Sequence, residues 1–229
     1  MRESRRALRG LPRLAEAPLA LLGLAAASPL LAVAAVGTLV TSGLPIVFRQ
    51  KRVGRGGRLF TLWKLRTMRS GSEGLPLTVG RDPRVTGFGR LLRRTKVDEL
   101  PQLWNVLRGD MALVGPRPEV PEYVDPEDLL WKEVLAVRPG ITDPISLTLR
   151  DEETLLAGQR DAEIYYRQTL LPRKLRECAA YLQRRTWRTD LQVLVRTVWE
   201  LLRRPHPSSA SEANGLRDGR EHVSPPLSR

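Results

Sequence analysis

Histidine and cysteine are nearly absent from this sequence. The one cysteine, Cys178, excludes an internal disulfide and fits a reducing compartment. The two histidines, His206 and His222, fall near the C-terminus, beyond the last patterned segment. A Ser-His-Asp triad or a histidine-built metal centre in the folded part is therefore excluded. Any metal must be held by carboxylates, which points to a hard ion such as Mg²⁺. Aromatic residues are only 5% of the chain, too few for base-stacking platforms, and no nucleic-acid module is recognisable. Acidic residues are outnumbered by basic ones, 25 to 38 in a 229-residue chain, which leaves a formal charge of +13. Such an excess predicts a polyanionic partner: nucleic acid, an anionic membrane surface or a phosphorylated substrate.

The chain does have one long apolar run. From Ala17 to Val40 no residue is charged, and about 20 apolar residues suffice to cross a bilayer core. A signal peptide would have a shorter apolar part, a cleavage site and a secreted domain after it. A straight span is the plain alternative. Ser28-Pro29, however, stands in the middle of the run, where a proline predicts a sharp kink. Arg2, Arg5, Arg6, Arg9 and Arg13 precede the run, and Arg49, Lys51, Arg52, Arg55 and Arg58 follow it. Positive flanks mark the cytoplasmic side, so both ends belong on one face. A helix that dips in, turns at Ser28-Pro29 and leaves on the same face satisfies both flanks.

Extended segments are expected at 45–49 and 59–68, joined by the turn Gly54-Arg55-Gly56-Gly57. That turn lacks the Gly-Lys-Ser/Thr of a Walker loop, so a phosphate cradle and a solvated hairpin turn read equally well. A polar loop at 70–84 and a basic helix at 86–94 follow. Residues 118–129 look irregular or briefly helical, 138–142 read as a turn, and 161–184 as helix despite Pro172. Trp187, Leu191, Leu194, Val195, Val198 and Leu202 recur at helical spacing, with Arg188, Arg196, Arg203 and Arg204 interleaved. Such a helix either packs on a core or lies on a membrane. The tail after Pro205 has too little apolar content to fold. The organisation is thus a basic N-terminus and membrane helix at 1–44, a main domain at 45–204 that holds every candidate site residue, and a disordered tail at 205–229.

Asp98 and Glu99 begin a helix-like run among Arg93, Arg94 and Lys96. Neighbouring residues on a helix point about 100° apart. At a first turn both carboxylates can still converge on a metal ion or a phosphorus centre beyond the helix end. The surrounding cations would keep Asp98 ionised and nucleophilic. The competing reading makes Thr95 and Asp98 part of a helix cap, with Glu99 at the positive dipole end. Pro101 suits a first-turn position under either reading. Pro116-Arg117-Pro118 holds a guanidinium on a stiff segment, which suits bidentate phosphate recognition or a rigid surface turn.

Three stretches, PIVFRQKRVGRGGRLFTLWKLRTM, VDELPQLWNVLRGDMALVGPRP and VRPGIT, together resemble the bacterial sugar transferase family. These are monotopic phosphoglycosyl transferases that start glycan and exopolysaccharide assembly. The resemblance implies a small, helix-rich α/β (α+β) membrane enzyme. It would carry a Pro-kinked re-entrant helix broken at Ser28 and Pro29, and amphipathic interfacial helices. It would work at the cytoplasmic face of the bacterial inner membrane, in contact with anionic lipids and with no nucleic-acid partner. The implied reaction moves a sugar 1-phosphate from a UDP-sugar to a polyprenyl (undecaprenyl) phosphate and releases UMP. Asp98 would attack the β-phosphorus, and Asp98 and Glu99 would hold Mg²⁺. Arg93, Arg117, Lys64 and Arg66 would bind substrate phosphates. Two departures stand out. Asp143-Pro144-Ile145-Ser146-Leu147 replaces the Gly-Trp that often follows Arg-Pro-Gly-Ile-Thr, which leaves the sugar open. At membrane entry Glu16 stands where an aspartate is frequent, which weakens any lipid-head contact there. Two other classes remain: a membrane-tethered nucleic-acid-binding protein, and an inactive scaffold subunit that kept the fold.

Overall fold

The computed structural model describes residues 10–69, 71, 77–80, 82–149 and 152–203. The first four N-terminal arginines, both histidines and the expected tail at 205–229 lie outside the described residues.

Helix α1, Arg13–Ser42, runs for 30 residues and contains Pro18 and Pro29. At about 1.5 Å per residue it is about 45 Å long. The backbone is helical on both sides of Ser28-Pro29, the place where a kink was expected. Pro29 has no N–H to offer the carbonyl of Ala25 four residues back. The Ser28 hydroxyl donates to that carbonyl instead, at 2.7 Å, so the helix loses no acceptor there.

Both ends of α1 dock on the rest of the chain. Near its start the Arg13 guanidinium donates to the carbonyls of Val106 and Leu107. Glu16, fully buried, accepts the Leu113 N–H at 3.2 Å and pairs with Arg138 at 2.5 Å. Glu16 therefore anchors the helix and is not available to a lipid headgroup. Near the other end Ala34 and Thr38 are buried, and Gly37 lies so close to the Phe88 ring that a Cβ would sit 2.4 Å from it. The outer face, with Leu14, Leu22, Val33, Val36 and Val40, is exposed.

Strands β1, Val47–Val53, and β2, Leu59–Leu65, form an antiparallel hairpin in register from Val47↔Leu65 to Val53↔Leu59. Gly56 and Gly57 turn it with φ of 66° and 77°, a region glycine enters without strain. The free edge of β2 is completed by a side chain. Asn105 accepts the Trp63 N–H at 3.2 Å and donates to the Thr61 carbonyl at 2.8 Å.

Helix α2, Gly87–Thr95, is capped by Thr86, and α3, Gln102–Arg108, follows it closely. Strand β3, Ala112–Val114, pairs in parallel with β4, Gly140–Thr142. Residues 138–142 were expected to be a turn; Gly140–Thr142 is a strand because glycines let two backbones touch. A Cβ on Gly140 would stand 2.1 Å from the Gly115 nitrogen.

Short helices α4, Leu129–Val134, α5, Pro144–Thr148, α6, Glu152–Ala157, and α7, Ala162–Tyr165, lead through a π turn at Tyr166–Leu170 into α8, Leu171–Arg184. Pro172 falls in the first turn of α8, where a missing N–H removes no helical bond. These helices share a core around Trp131, Leu156, Tyr166 and Leu175. A second core, with Phe60, Val106, Met111 and Val114, lies under the hairpin. The last helix, α9, Trp187–Leu202, begins with a Thr186 and Thr189 capping box. Val193 is buried in the second core, but Trp187, Leu191, Val195, Val198 and Trp199 are exposed. Four members of the stripe read from the sequence, Trp187, Leu191, Val195 and Val198, thus face outward, while Leu194 packs on the second core. The described residues form a helix-rich α+β fold with two small sheets.

Candidate active site

The site begins where α2 ends. Lys96 takes a left-handed conformation, φ 58°, the one non-glycine among the described residues to do so. That turn reverses the chain into the single 3-10 turn Val97–Glu99, and Pro101 then opens α3. Left-handed backbone costs a lysine about 1–2 kcal/mol, and such strain collects at functional sites.

Helix capping does not account for the acidic pair. The Thr95 hydroxyl bonds back to the carbonyls of Leu91 and Leu92, and α3 has no side-chain cap. Asp98 is 4% exposed, and its Oδ1 is buried with no hydrogen-bond partner. A buried polar group left unmade costs about 1–3 kcal/mol, more when charged. Burial first, and the charge of Glu99 second, push the Asp98 carboxyl above its ordinary range; Lys64, Lys96 and Arg93 oppose them. The sequence reading, in which neighbouring cations keep Asp98 ionised, omitted the burial that dominates here.

Glu99 is the opposite case. Burial would raise its pKa, but Arg117, Lys96 and Lys64 outweigh it and hold Glu99 well below the usual carboxylate range. Arg117 grips it with both arms, at 2.9 and 3.3 Å. Glu99 in turn keeps the guanidinium charged. The stiff Pro-Arg-Pro element therefore clamps the second member of the acidic pair. Lys64 on β2 is pushed down to about 8 by burial, against the pull of Asp98. Arg93 bonds Thr67 at 2.9 Å and Thr78 and Glu153 at 3.0 Å.

These residues line one cavity of about 740 Å³, which also takes in Arg52, Glu119, Tyr166 and Lys174. That volume suits a ligand of nucleotide-sugar size. Arg66 is not among its lining residues; its guanidinium reaches the Leu44 carbonyl at 2.8 Å.

The far wall was not foreseen. Lys174 of α8 lies 3.2 Å from both Glu119 and Glu152, and the Tyr166 hydroxyl donates to Glu119 at 2.6 Å. Arg52 adds a contact to the Pro118 carbonyl at 3.0 Å. Together these side chains hold the segment after Arg117 from behind. Of these residues only Arg52 was noted in the sequence, and there as a charge flanking the apolar run.

Among the described residues no three metal-ligating side chains cluster. The unpartnered oxygen of Asp98 beside Glu99 nevertheless fits Mg²⁺, which takes one or two carboxylates and completes its shell with water and substrate phosphates.

Residues 8–204 match the family described as bacterial sugar transferase. The chain is 47% identical over 108 residues, 46% of its length, to a putative undecaprenyl-phosphate N-acetylgalactosaminyl 1-phosphate transferase of Bacillus subtilis, covering 60% of that protein. It is 38% identical over 180 residues, 76% of its length, to a UDP-glucose:undecaprenyl-phosphate glucose-1-phosphate transferase of Caulobacter vibrioides, covering 63% of it. It is 32% identical over 183 residues, 71% of its length, to an undecaprenyl-phosphate galactose phosphotransferase of Salmonella typhimurium, covering 34%. The chain thus spans less than two thirds of the length of these relatives. With a family match over most of its length and Glu99 of the acidic pair clamped by the Pro-Arg-Pro arginine, this chain belongs to the bacterial sugar transferase family.

Proposed function

We propose that the chain transfers a sugar 1-phosphate from a UDP-sugar to a polyprenyl phosphate, with Asp98 as the covalent nucleophile. The observation that carries this reading is the buried, unpartnered oxygen of Asp98 in the wall of a cation-lined cavity. An oxygen of Asp98 bonds to the β-phosphorus, and the bond from that phosphorus to the bridging oxygen breaks. UMP leaves with the electron pair. An oxygen of the polyprenyl phosphate then bonds to the same phosphorus, the Asp98–phosphorus bond breaks, and the carboxylate is restored. Covalent catalysis splits one exchange of phosphoanhydrides into two easier steps.

Lys64 and Arg93 neutralise charge on the diphosphate, while the Arg117 clamp fixes Glu99 beside it. Asp98 and Glu99 would hold Mg²⁺, which adds charge neutralisation at the diphosphate. The docking of both ends of α1 on one domain supports a monotopic seat at the cytoplasmic face of the inner membrane, with both flanks on one side. The outward stripe of α9, with Arg188 over Trp187 at 5.3 Å and Arg203 over Trp199 at 4.6 Å, suits an anionic lipid interface. No nucleic acid enters this reading.

The test supplies the membrane-bound protein with undecaprenyl phosphate, Mg²⁺ and UDP-glucose, UDP-galactose or UDP-N-acetylgalactosamine in turn. UMP release with at least one donor, lost in Asp98→Asn, is expected. Release from none of them, or an active Asn variant, overturns the proposal.

A further inference from the structure

The cavity's arginines fall into two groups. Arg52, Arg93 and Arg117 each face a carboxylate: Glu119 at 3.7 Å, Glu153 at 3.0 Å and Glu99 at 2.9 Å. Arg90 and Arg94 also line the cavity, and both are exposed. Among the described residues the Arg90 guanidinium bonds only the Val85 carbonyl, at 3.0 Å, and Arg94 has no partner. A guanidinium paired with a carboxylate has donors already committed, though its charge still acts on the cavity. One without such a partner keeps its donors for an anion that arrives.

Both uncommitted arginines are on α2, one turn apart. Phe88 and Leu92, on the other side of that helix, pack against α1 together with Ala34 and Leu31. Helix α2 therefore separates the long apolar helix from the cavity, presenting aromatic and aliphatic groups to one and guanidinium groups to the other. Leu91 of α2 and Leu39 and Val40 of α1 are exposed. Within about one helix diameter, 10–12 Å, the surface passes from apolar to cationic.

We propose that Arg90 and Arg94 receive the phosphate of the isoprenoid acceptor as it leaves the lipid beside α1, and guide it into the cavity towards Asp98. This rests on the phosphosugar-transfer reading. The UDP-sugar makes no use of these two side chains, so acceptor and donor have separate cationic contacts.

The two half-reactions separate the roles. Full-length Arg90→Gln/Arg94→Gln protein in lipid nanodiscs is assayed twice. The first assay follows exchange of labelled UMP into UDP-sugar without acceptor; the second follows turnover against undecaprenyl phosphate concentration. Expected are exchange that changes less than about 3-fold, since Lys64, Lys96 and Arg93 and not Arg94 act on Asp98, and an acceptor KM raised about 10–100-fold, the effect of losing charge-assisted contacts, with Arg94→Lys recovering part of it. The retained exchange also shows that the variant is folded, and Arg94→Gln alone, at an exposed and unpartnered position, repeats the test with least risk to the fold. An unchanged acceptor KM overturns the proposal. So does exchange that falls in proportion, which assigns the arginines to the nucleotide. An equal loss of binding to acceptor-free anionic vesicles assigns them to bulk lipid and also overturns it. Wild-type protein that neither exchanges nor turns over any donor overturns the underlying reaction instead.

Discussion

Asp98 and Asp190 are both buried aspartates, 4% and 0% exposed, and they differ in one respect. Asp190 is saturated. It accepts the Tyr181 hydroxyl at 2.5 Å, the Leu11 N–H at 3.0 Å and the Arg185 guanidinium at 2.8 Å. Through Arg185, which also reaches the Val114 carbonyl at 2.7 Å, it ties the entry of α1 to the end of β3. Asp98 lacks a partner for one oxygen, although Lys64, Arg93 and Lys96 are near enough to influence it. A saturated buried carboxylate holds a fold together. An unsaturated one burdens the fold, and here it lines the cavity.

The largest test of that contrast is Asp98→Asn. Turnover should fall by about 10⁴-fold or more, as when a covalent nucleophile is removed, while the melting temperature at neutral pH rises. The sign follows from linkage. Asp98 binds its proton more tightly in the folded state than the ordinary value of about 3.9. The stability it contributes below that pH is therefore lost as pH climbs through the raised folded value. Calorimetry beside a UMP-release assay checks both halves.

Asp190→Asn should do the reverse. It strands Arg185, whose side chain is 6% exposed, and breaking a buried pair costs about 3–5 kcal/mol. Denaturant unfolding measures it. An Asp190 variant as stable as wild type would erase the distinction between the two aspartates.

Arg117→Lys sharpens the comparison at a smaller scale. It replaces a two-armed grip on Glu99 by a point charge, and kcat/KM should drop about 10–100-fold. The smallest effect is in the pH profile. Activity should fail on the acid side above the ordinary aspartate range, because Asp98 must be deprotonated to attack. On the alkaline side the donor KM should rise as pH passes about 8, where Lys64 loses its charge. Lys64→Arg should remove the alkaline rise alone.

What could be read in advance follows the distance over which each feature is encoded. Asp98, Glu99 and Arg117 stood out because acid pair and stiff arginine share one contiguous stretch. The hairpin was legible from its glycine turn and α2 from its basic, helix-like composition, each within a few residues. Strand β4 was hidden because Arg138-Pro139-Gly140 composes like a turn, and only the close backbone of Gly115 makes it a strand. Lys174, Tyr166 and Arg52 reach the site from three separate segments without a local pattern. The Ser28 hydroxyl that fills the Ala25 carbonyl beside Pro29 is a contact that composition does not announce. The proton affinity of Asp98 was misjudged because sequence shows neighbouring charges but not burial.

Incubating the protein with UDP-sugar and no acceptor, then mapping modified peptides by mass spectrometry, addresses the central claim most directly. A phosphosugar on Asp98, discharged when undecaprenyl phosphate is added, is the predicted result. Full turnover with Asp98 unmodified throughout, or with the adduct on another side chain, would contradict it.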